Sequence, residues 1–239
     1  MIEPQFEIPP SRYSEYQFRE ELAAFYKFGR MGYINKKGKV VINAKYLEAY
    51  AFSEGLALVV TEKIGSQKKK NLKEKIGYIN KTGKMVINPQ YYVYAGSFQE
   101  GLAFVRENKN EYYFINKKGS KAIDGPFNYA DSFSEGCAGV NIDGKWKYID
   151  KNGIVVIDKS FETYNLYFSH FSEGLAAVNW RGKYGYIDKS GDLVIKPQFE
   201  IAKPFSHGLA AAKQNGKWGY IDRKGNWVIS PKYDSAESF

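Results

Sequence analysis

A short block that recurs six times along the chain is the feature that most constrains the fold. GYIDKSG at 185–191 returns as GYIDRKG at 219–225, and four weaker copies precede them. The isoleucines shared by the six copies lie 34 to 45 residues apart, at positions 34, 79, 115, 149, 187 and 221. Self-similarity at such a period is typical of architectures in which each unit packs on its neighbours.

Two further blocks recur in step with the first. One is SEGLA, as at 53–57 and 172–176, and the other is an aromatic–Ala–aromatic series such as Tyr46, Ala49 and Phe52. The spacing of three in that series predicts one turn of 3₁₀ or short helix between repeats. The blocks define a single array over 1–239, with an N-terminal half-repeat at 1–28 and repeats beginning near 29, 72, 109, 143, 181 and 215, the last incomplete.

Each repeat reads as short strands separated by turns. Residues 175–196 contain three apolar segments joined by polar turns, which predicts a three-stranded antiparallel meander. The second turn opens with Asn or Asp and has glycine three residues later, as at Asn35 and Gly38, which is typical of a type I turn followed by a left-handed residue. Gly185 and Gly219 lie inside the middle strand, where we expect an aromatic ring of a neighbouring repeat to approach closely.

An aromatic residue recurs in every middle strand, at the position that follows that of the glycine, and we expect this series to fill the core. Its members are Tyr33, Tyr78, Phe114, Tyr148, Tyr186 and Tyr220. The fold class predicted is therefore all-β, a tandem array of about six three-stranded meanders, open and solenoid-like. A closed ring of the β-propeller type is the alternative, although propeller blades usually have four strands and about 40–45 residues.

The last copy carries a family resemblance. GKWGYIDRKGNWVISPKYDSAESF at 216–239 resembles the WG repeat, also called the KWG repeat, and the resemblance extends over nearly the whole chain. The tryptophan of that motif is retained as Trp146 and Trp218, and Met31, Ile76, Tyr112 and Tyr184 replace it elsewhere. The resemblance implies an all-β, mostly bacterial repeat module to which no catalytic residues are attached. We therefore expect no enzyme activity, no cofactor and no catalytic or metal-binding residues.

Several other classes are excluded or disfavoured by the residues themselves. The single Cys137 excludes a disulfide framework and a cysteine-based zinc site. The sequence has no run of about 18 apolar residues, the length that predicts a membrane span. Its first residues lack a charged-then-apolar leader. These features predict a bacterial cytoplasmic protein if the chain is complete, and leave the compartment undefined if it is a fragment.

Exposed aromatic and basic residues are the candidates for a binding surface. Trp180 and Trp227 fall in or beside turns and are candidates for stacking on a sugar. Basic residues in the turns would form a ridge if the repeats stack, namely Lys117, Lys118, Lys151, Lys189, Arg223 and Lys224. An insertion at 62–75 adds Lys68, Lys69 and Lys70. The net charge of +9 favours anionic partners, but no nucleic-acid motif accompanies it.

The glutamates of the SEGLA block recur once per repeat, at Glu54, Glu100, Glu135 and Glu173. Residues that recur in this way normally serve each repeat, so we expect them to bind turn amides or face water rather than to catalyse a reaction. The function predicted is a non-catalytic scaffold that binds another protein through an extended surface. The alternative is a surface or cell-wall glycan-binding module, and the oligomeric state stays undefined.

Overall fold

The computed structural model describes residues 17–65, 73–159 and 170–237, and these residues form strands, turns and bends. The strands belong to six antiparallel sheets, each with its strands in meander order. None of the described segments is a helix that could cross a membrane. The all-β prediction is confirmed, with six sheets for the six repeats.

The first three sheets contain eleven strands. Sheet 1 contains β1 (Leu22–Lys27), β2 (Arg30–Asn35) and β3 (Val40–Tyr46). Sheet 2 contains β4 (Glu48–Ala49), β5 (Leu56–Ile64), β6 (Lys73–Asn80) and β7 (Met85–Tyr92). Sheet 3 contains β8 (Tyr94–Ala95), β9 (Leu102–Asn108), β10 (Glu111–Asn116) and β11 (Lys121–Phe127).

The other three sheets repeat this plan. Sheet 4 contains β12 (Tyr129–Ala130), β13 (Ala138–Ile142), β14 (Lys145–Ile149) and β15 (Val155–Ile157). Sheet 5 contains β16 (Ala176–Trp180), β17 (Lys183–Ile187) and β18 (Leu193–Phe199). Sheet 6 contains β19 (Ile201–Ala202), β20 (Ala210–Gln214), β21 (Lys217–Ile221) and β22 (Trp227–Tyr233). The chain divides into two compact units, residues 1–125 and 126–239.

The connecting segment differs from the short helix predicted for it. In sheet 2 it forms the two-residue strand β4, and the amides of Leu47 and Tyr50 donate to the carbonyls of Val60 and Leu58 in β5. A helical turn would bond these amides within the segment, so the prediction of 3₁₀ or helix was wrong. In sheets 2, 3, 4 and 6 the segment adds a fourth strand to the predicted meander, which removes for these sheets the strand-count argument against a propeller blade.

The turns after the middle strands follow the sequence prediction. The Asn35 carboxamide oxygen accepts the amides of Lys37 and Lys39, each at 3.0 Å, while the Gly38 amide donates to the Asn35 carbonyl at 2.9 Å. Gly38 has a φ of 75°, in the left-handed region where glycine is unstrained. The same bonds recur around Asp222, whose exposed carboxylate has its pKa lowered by the amide of Asn226.

The glycine inside the middle strand is closely approached, but by a different group from the one expected. A Cβ on Gly185 would lie 2.4 Å from the Ile195 carbonyl oxygen and 2.7 Å from the Pro197 nitrogen. Both belong to β18 of the same sheet, which bulges here because Tyr184 pairs with Phe199 and Tyr186 with Ile195. The expected ring of a neighbouring repeat was therefore the wrong partner, and backbone makes the close approach.

The core lies between consecutive sheets within each unit. In the second unit, Tyr186 and Ile195 of sheet 5 pack with Phe205, Ala210 and other residues of sheet 6. In the first unit, sheet 1 packs on sheet 2 and sheet 2 on sheet 3 in the same way. The predicted aromatic series is buried at Tyr33, Tyr78, Phe114, Tyr148 and Tyr186, whereas Tyr220 is half-buried.

Buried tyrosines of this series also join two sheets through their hydroxyls. Tyr186 donates to the Lys203 carbonyl at 2.8 Å, and its ring centroid lies 4.8 Å from that of Phe205. Tyr78 likewise donates to the Gly96 carbonyl at 2.7 Å and packs edge-on against Phe98. Burial raises the pKa of both hydroxyls far above the ordinary tyrosine value, so they remain donors.

Candidate binding surface

The SEGLA block forms a tight hairpin turn that leads into the first long strand of each meander. Ser53 and Leu56 exchange two backbone hydrogen bonds, and the two residues between them, Glu54 and Gly55, have φ values of 53° and 82°. Positive φ at both central positions is typical of a type I′ turn, in which Asn–Gly is favoured. A glutamate in the left-handed region is strained, so contacts of the turn have to offset this cost.

The glutamate of one turn binds the turn of the next sheet. The Glu54 carboxylate accepts the Gly101 amide at 2.9 Å and lies 3.0 Å from Lys117 Nζ. Glu20 contacts Gly55 and Lys81 in the same way. We call this arrangement the glutamate clasp: a carboxylate of one sheet holding a glycine amide and a basic residue of the next.

The clasp recurs in the second unit. The Glu135 carboxylate accepts the Gly174 amide at 2.9 Å and lies 3.3 Å from Lys189 Nζ. Glu173 accepts the Gly208 amide at 3.0 Å and lies 3.6 Å from Arg223. The sequence expectation that these glutamates bind turn amides is confirmed for Glu54, Glu135 and Glu173, with the amides belonging to the following sheet.

A serine in the same turn adds a second bond between sheets. The hydroxyl of Ser53 donates to the Phe98 carbonyl, that of Ser134 to Phe171, and that of Ser172 to Phe205, each at 2.7 Å. Two turns of the first unit depart from serine at this position, where Arg19 and Gln99 stand instead.

The predicted basic ridge is partly neutralised by the clasp. Lys117, Lys189 and Arg223 each face a glutamate of the preceding sheet. Lys118 and Lys224 occupy the next turn position and are exposed, as is Lys151. Lys68, Lys69 and Lys70 lie outside the described residues. On either side of them, the pairing of β5 with β6 is described as far as the Ile64–Lys73 pair. The exposed basic surface is therefore smaller than the sequence suggests.

The two candidate tryptophans have different environments. Trp180 ends β16 beside the turn at Arg181 and is 37% exposed. Trp227 begins β22, is half-buried, and packs its ring edge-on against Phe199 with centroids 5.5 Å apart. Trp227 thus belongs to the packing of sheets 5 and 6, and Trp180 is the one with substantial exposed surface.

A cavity in the first unit includes residues that the sequence reasoning missed. Its volume is about 520 Å³, and its polar lining consists of Arg19, Glu20, Ser53, Ser97 and Gln99, with Ala51 and Phe52 as the apolar part. The signal that could have found it is the replacement of serine at positions 19 and 99, visible when the SEGLA blocks are aligned. Groups of three or more His, Cys, Asp or Glu that could hold a metal ion are absent from the residues that the structure describes.

Comparison with known families and structures agrees with this architecture. The family described as WG containing repeat matches residues 31–63, 76–110, 114–146, 148–184, 184–218 and 218–239. No curated protein matches the sequence.

Among solved structures, a eukaryotic initiation factor is 16% identical with a TM-score of 0.61, covering 96% of this chain and 68% of that one. BamB from Moraxella catarrhalis is 9% identical with a TM-score of 0.52, covering 87% of this chain and 69% of that one. Hsv2p of Kluyveromyces lactis is 10% identical with a TM-score of 0.53, covering 85% and 71%. At such identities the likeness concerns the fold alone, and it is consistent with the propeller alternative.

Proposed function

The chain belongs to the family of WG-containing repeats, and we propose that it is a non-catalytic scaffold that binds another protein through an extended surface. The glutamate clasp is the observation that carries the proposal. The carboxylates that recur in the turns, which would be the natural candidates for acid–base groups, are engaged in holding sheets together. Burial by itself would raise the pKa of Glu54, but hydrogen bonds outweigh it and lower that pKa, as expected for a structural carboxylate rather than a proton donor.

The surface that remains is suited to a protein partner. The last strand of each sheet is an edge strand, and in the second unit it exposes Val156, Val194 and Val228. Exposed lysines such as Lys224 lie in the turns that precede these strands. Apolar contact area bordered by polar and charged groups is typical of protein–protein interfaces.

The experiment is affinity capture from lysate of the source cells with the tagged full chain, at physiological salt and at about 0.5 M salt. The test variant is V194K/V228K, which adds two positive charges but disrupts apolar contact. The control is N152K/S190K, which adds the same charge at turn positions where other repeats already have lysine.

We expect a defined protein to be retained by the wild type and the control at both salt concentrations, and lost with V194K/V228K. Capture of anionic polymers alone, stronger with both variants and lost at high salt, would contradict the proposal. A glycan-binding module is the second candidate, and the exposed indole of Trp180 favours it. Binding to cell-wall polysaccharide that disappears in W180A would support that candidate.

A further inference from the structure

We propose that the cavity beside Arg19 in the first unit binds the carboxylate of an acidic side chain in an extended segment of the partner. The inference rests on the proposed function, because it names the chemistry of a protein ligand. It concerns residues 17–65 and 73–125 only, where the lining side chains are described.

Two departures from the repeat meet at one place in the first unit. Arg19 and Gln99 replace the serine that elsewhere bonds to the next sheet, and they lie in turns on either side of Ser53. Both line the same cavity of about 520 Å³. Where a residue breaks a repeat rule without serving the packing, function is the first explanation to test.

The carboxylates described around Arg19 leave its charge unbalanced. Glu20 lines the same cavity, but its carboxylate is engaged by the Gly55 amide at 3.1 Å and by Lys81 at 2.9 Å. Partial burial opposes these contacts, yet they hold the pKa of Glu20 below its ordinary value. Within residues 17–65 and 73–125, no carboxylate forms an ion pair with the guanidinium of Arg19.

The cavity lining offers several hydrogen-bond donors to a carboxylate. A guanidinium offers paired N–H groups that match the two oxygens of a carboxylate. The Gln99 amide nitrogen donates to Ser53 Oγ at 3.3 Å and has a second hydrogen to offer, and Ser97 adds a hydroxyl. Ala51 and the buried Phe52 supply the apolar part of the lining.

The test measures binding of a fluorescent peptide of alternating Glu and Ser to the full chain, with the Gln and Ser counterpart as the uncharged probe. R19S installs the residue that the repeat itself uses, so the fold is preserved. R19K keeps the positive charge but removes the planar guanidinium and its paired N–H donors. K118S removes an equal charge from an exposed turn of the same unit.

We expect R19S to weaken binding of the acidic peptide about tenfold and R19K about fivefold, while K118S changes it less than twofold. Q99S should weaken it about threefold, and the Gln peptide should not bind. Equal losses in R19S and K118S, or full binding by R19S, would overturn the proposal.

A third measurement distinguishes a carboxylate carried by a peptide from one carried by a sugar. If polygalacturonate binds and R19S abolishes that binding while the acidic peptide does not bind, the ligand is a uronic acid and the peptide assignment is wrong. The proposed function fails in a different experiment. If it is wrong, no defined protein is retained from the lysate, whether or not R19S weakens binding of the acidic peptide.

Discussion

Glu54 and Lys117 lie 63 residues apart in sequence, yet the Glu54 carboxylate lies 3.0 Å from Lys117 Nζ and accepts the Gly101 amide at 2.9 Å. The lysine also donates to the Glu54 carbonyl at 3.0 Å. A single left-handed residue therefore ties its own turn to two turns of the next sheet. The apolar core supplies the contact area between sheets, and this clasp supplies directional bonds that a shifted stacking would break.

Replacing Glu54 by alanine should reveal the contribution of the clasp. The variant E54A removes the carboxylate from the Gly101 amide and from Lys117, while retaining the Glu54 carbonyl contact and the strained positive φ. We expect a loss of about 1–2 kcal/mol in the free energy of unfolding, measured by urea denaturation. The control is E21A, because Glu21 pairs with Lys36 across an exposed surface. That variant should stay within about 0.5 kcal/mol of the wild type, and an equal loss in both would contradict the role of the clasp.

The clasp also predicts that the stability of the fold falls at acid pH. Partial burial opposes the effect, but hydrogen bonds lower the folded-state pKa of Glu20 and Glu54 below the ordinary value of 4.5. The unfolded chain therefore binds protons at higher pH than the folded one. The stabilisation is complete above pH 4.5 and is lost as the pH falls through the lowered folded-state pKa.

Thermal unfolding between neutral pH and about pH 3 checks this dependence. The wild type should lose stability below pH 4.5, and E20Q/E54Q should start lower and lose less over the same range. Parallel curves for the two proteins would show that other carboxyls cause the acid sensitivity.

Serine in place of Arg19 should stabilise the protein even as it removes the proposed ligand contact. Ser53 shows what a serine does at this turn position, since its hydroxyl donates to the Phe98 carbonyl at 2.7 Å. When the repeats are aligned, position 19 corresponds to Ser53, so a serine at 19 would donate to the Phe52 carbonyl. We therefore expect R19S to gain about 1 kcal/mol in the free energy of unfolding. S53A should lose a similar amount. A lower melting temperature for R19S would show that the guanidinium serves the fold instead.

The sequence predicted the local features and missed the ones that depend on pairing. The Asn35 turn follows from two residues and their spacing, and the structure forms it as expected. The short strand β4 does not follow from its own residues, because a spacing of three also suits a helix. Only the bond from the Tyr50 amide to the Leu58 carbonyl decides between the two. Arg19 was visible as a departure from serine, but its place in a cavity depends on how three turns stack.

Gly185 should tolerate no side chain, because the bulge of β18 occupies the space. A Cβ there would lie 2.4 Å from the Ile195 carbonyl oxygen, and neither backbone can move without breaking the pairing of Tyr186 with Ile195. We expect G185A to lose about 3 kcal/mol or more in the free energy of unfolding, beyond the range of a typical surface change.

The control for this prediction is G208N, at a position with a φ of 78° where a Cβ would have no atom within 4 Å. Asparagine adopts the left-handed region more readily than other side chains, so the loss should be below about 1 kcal/mol. Sheets 3 and 4 carry Tyr113 and Lys147 at the position of Gly185, so glycine is not required there in every repeat. If G185A were as stable as G208N, the bulge could shift to admit a methyl group, and the glycine would have to be explained by something other than close backbone approach.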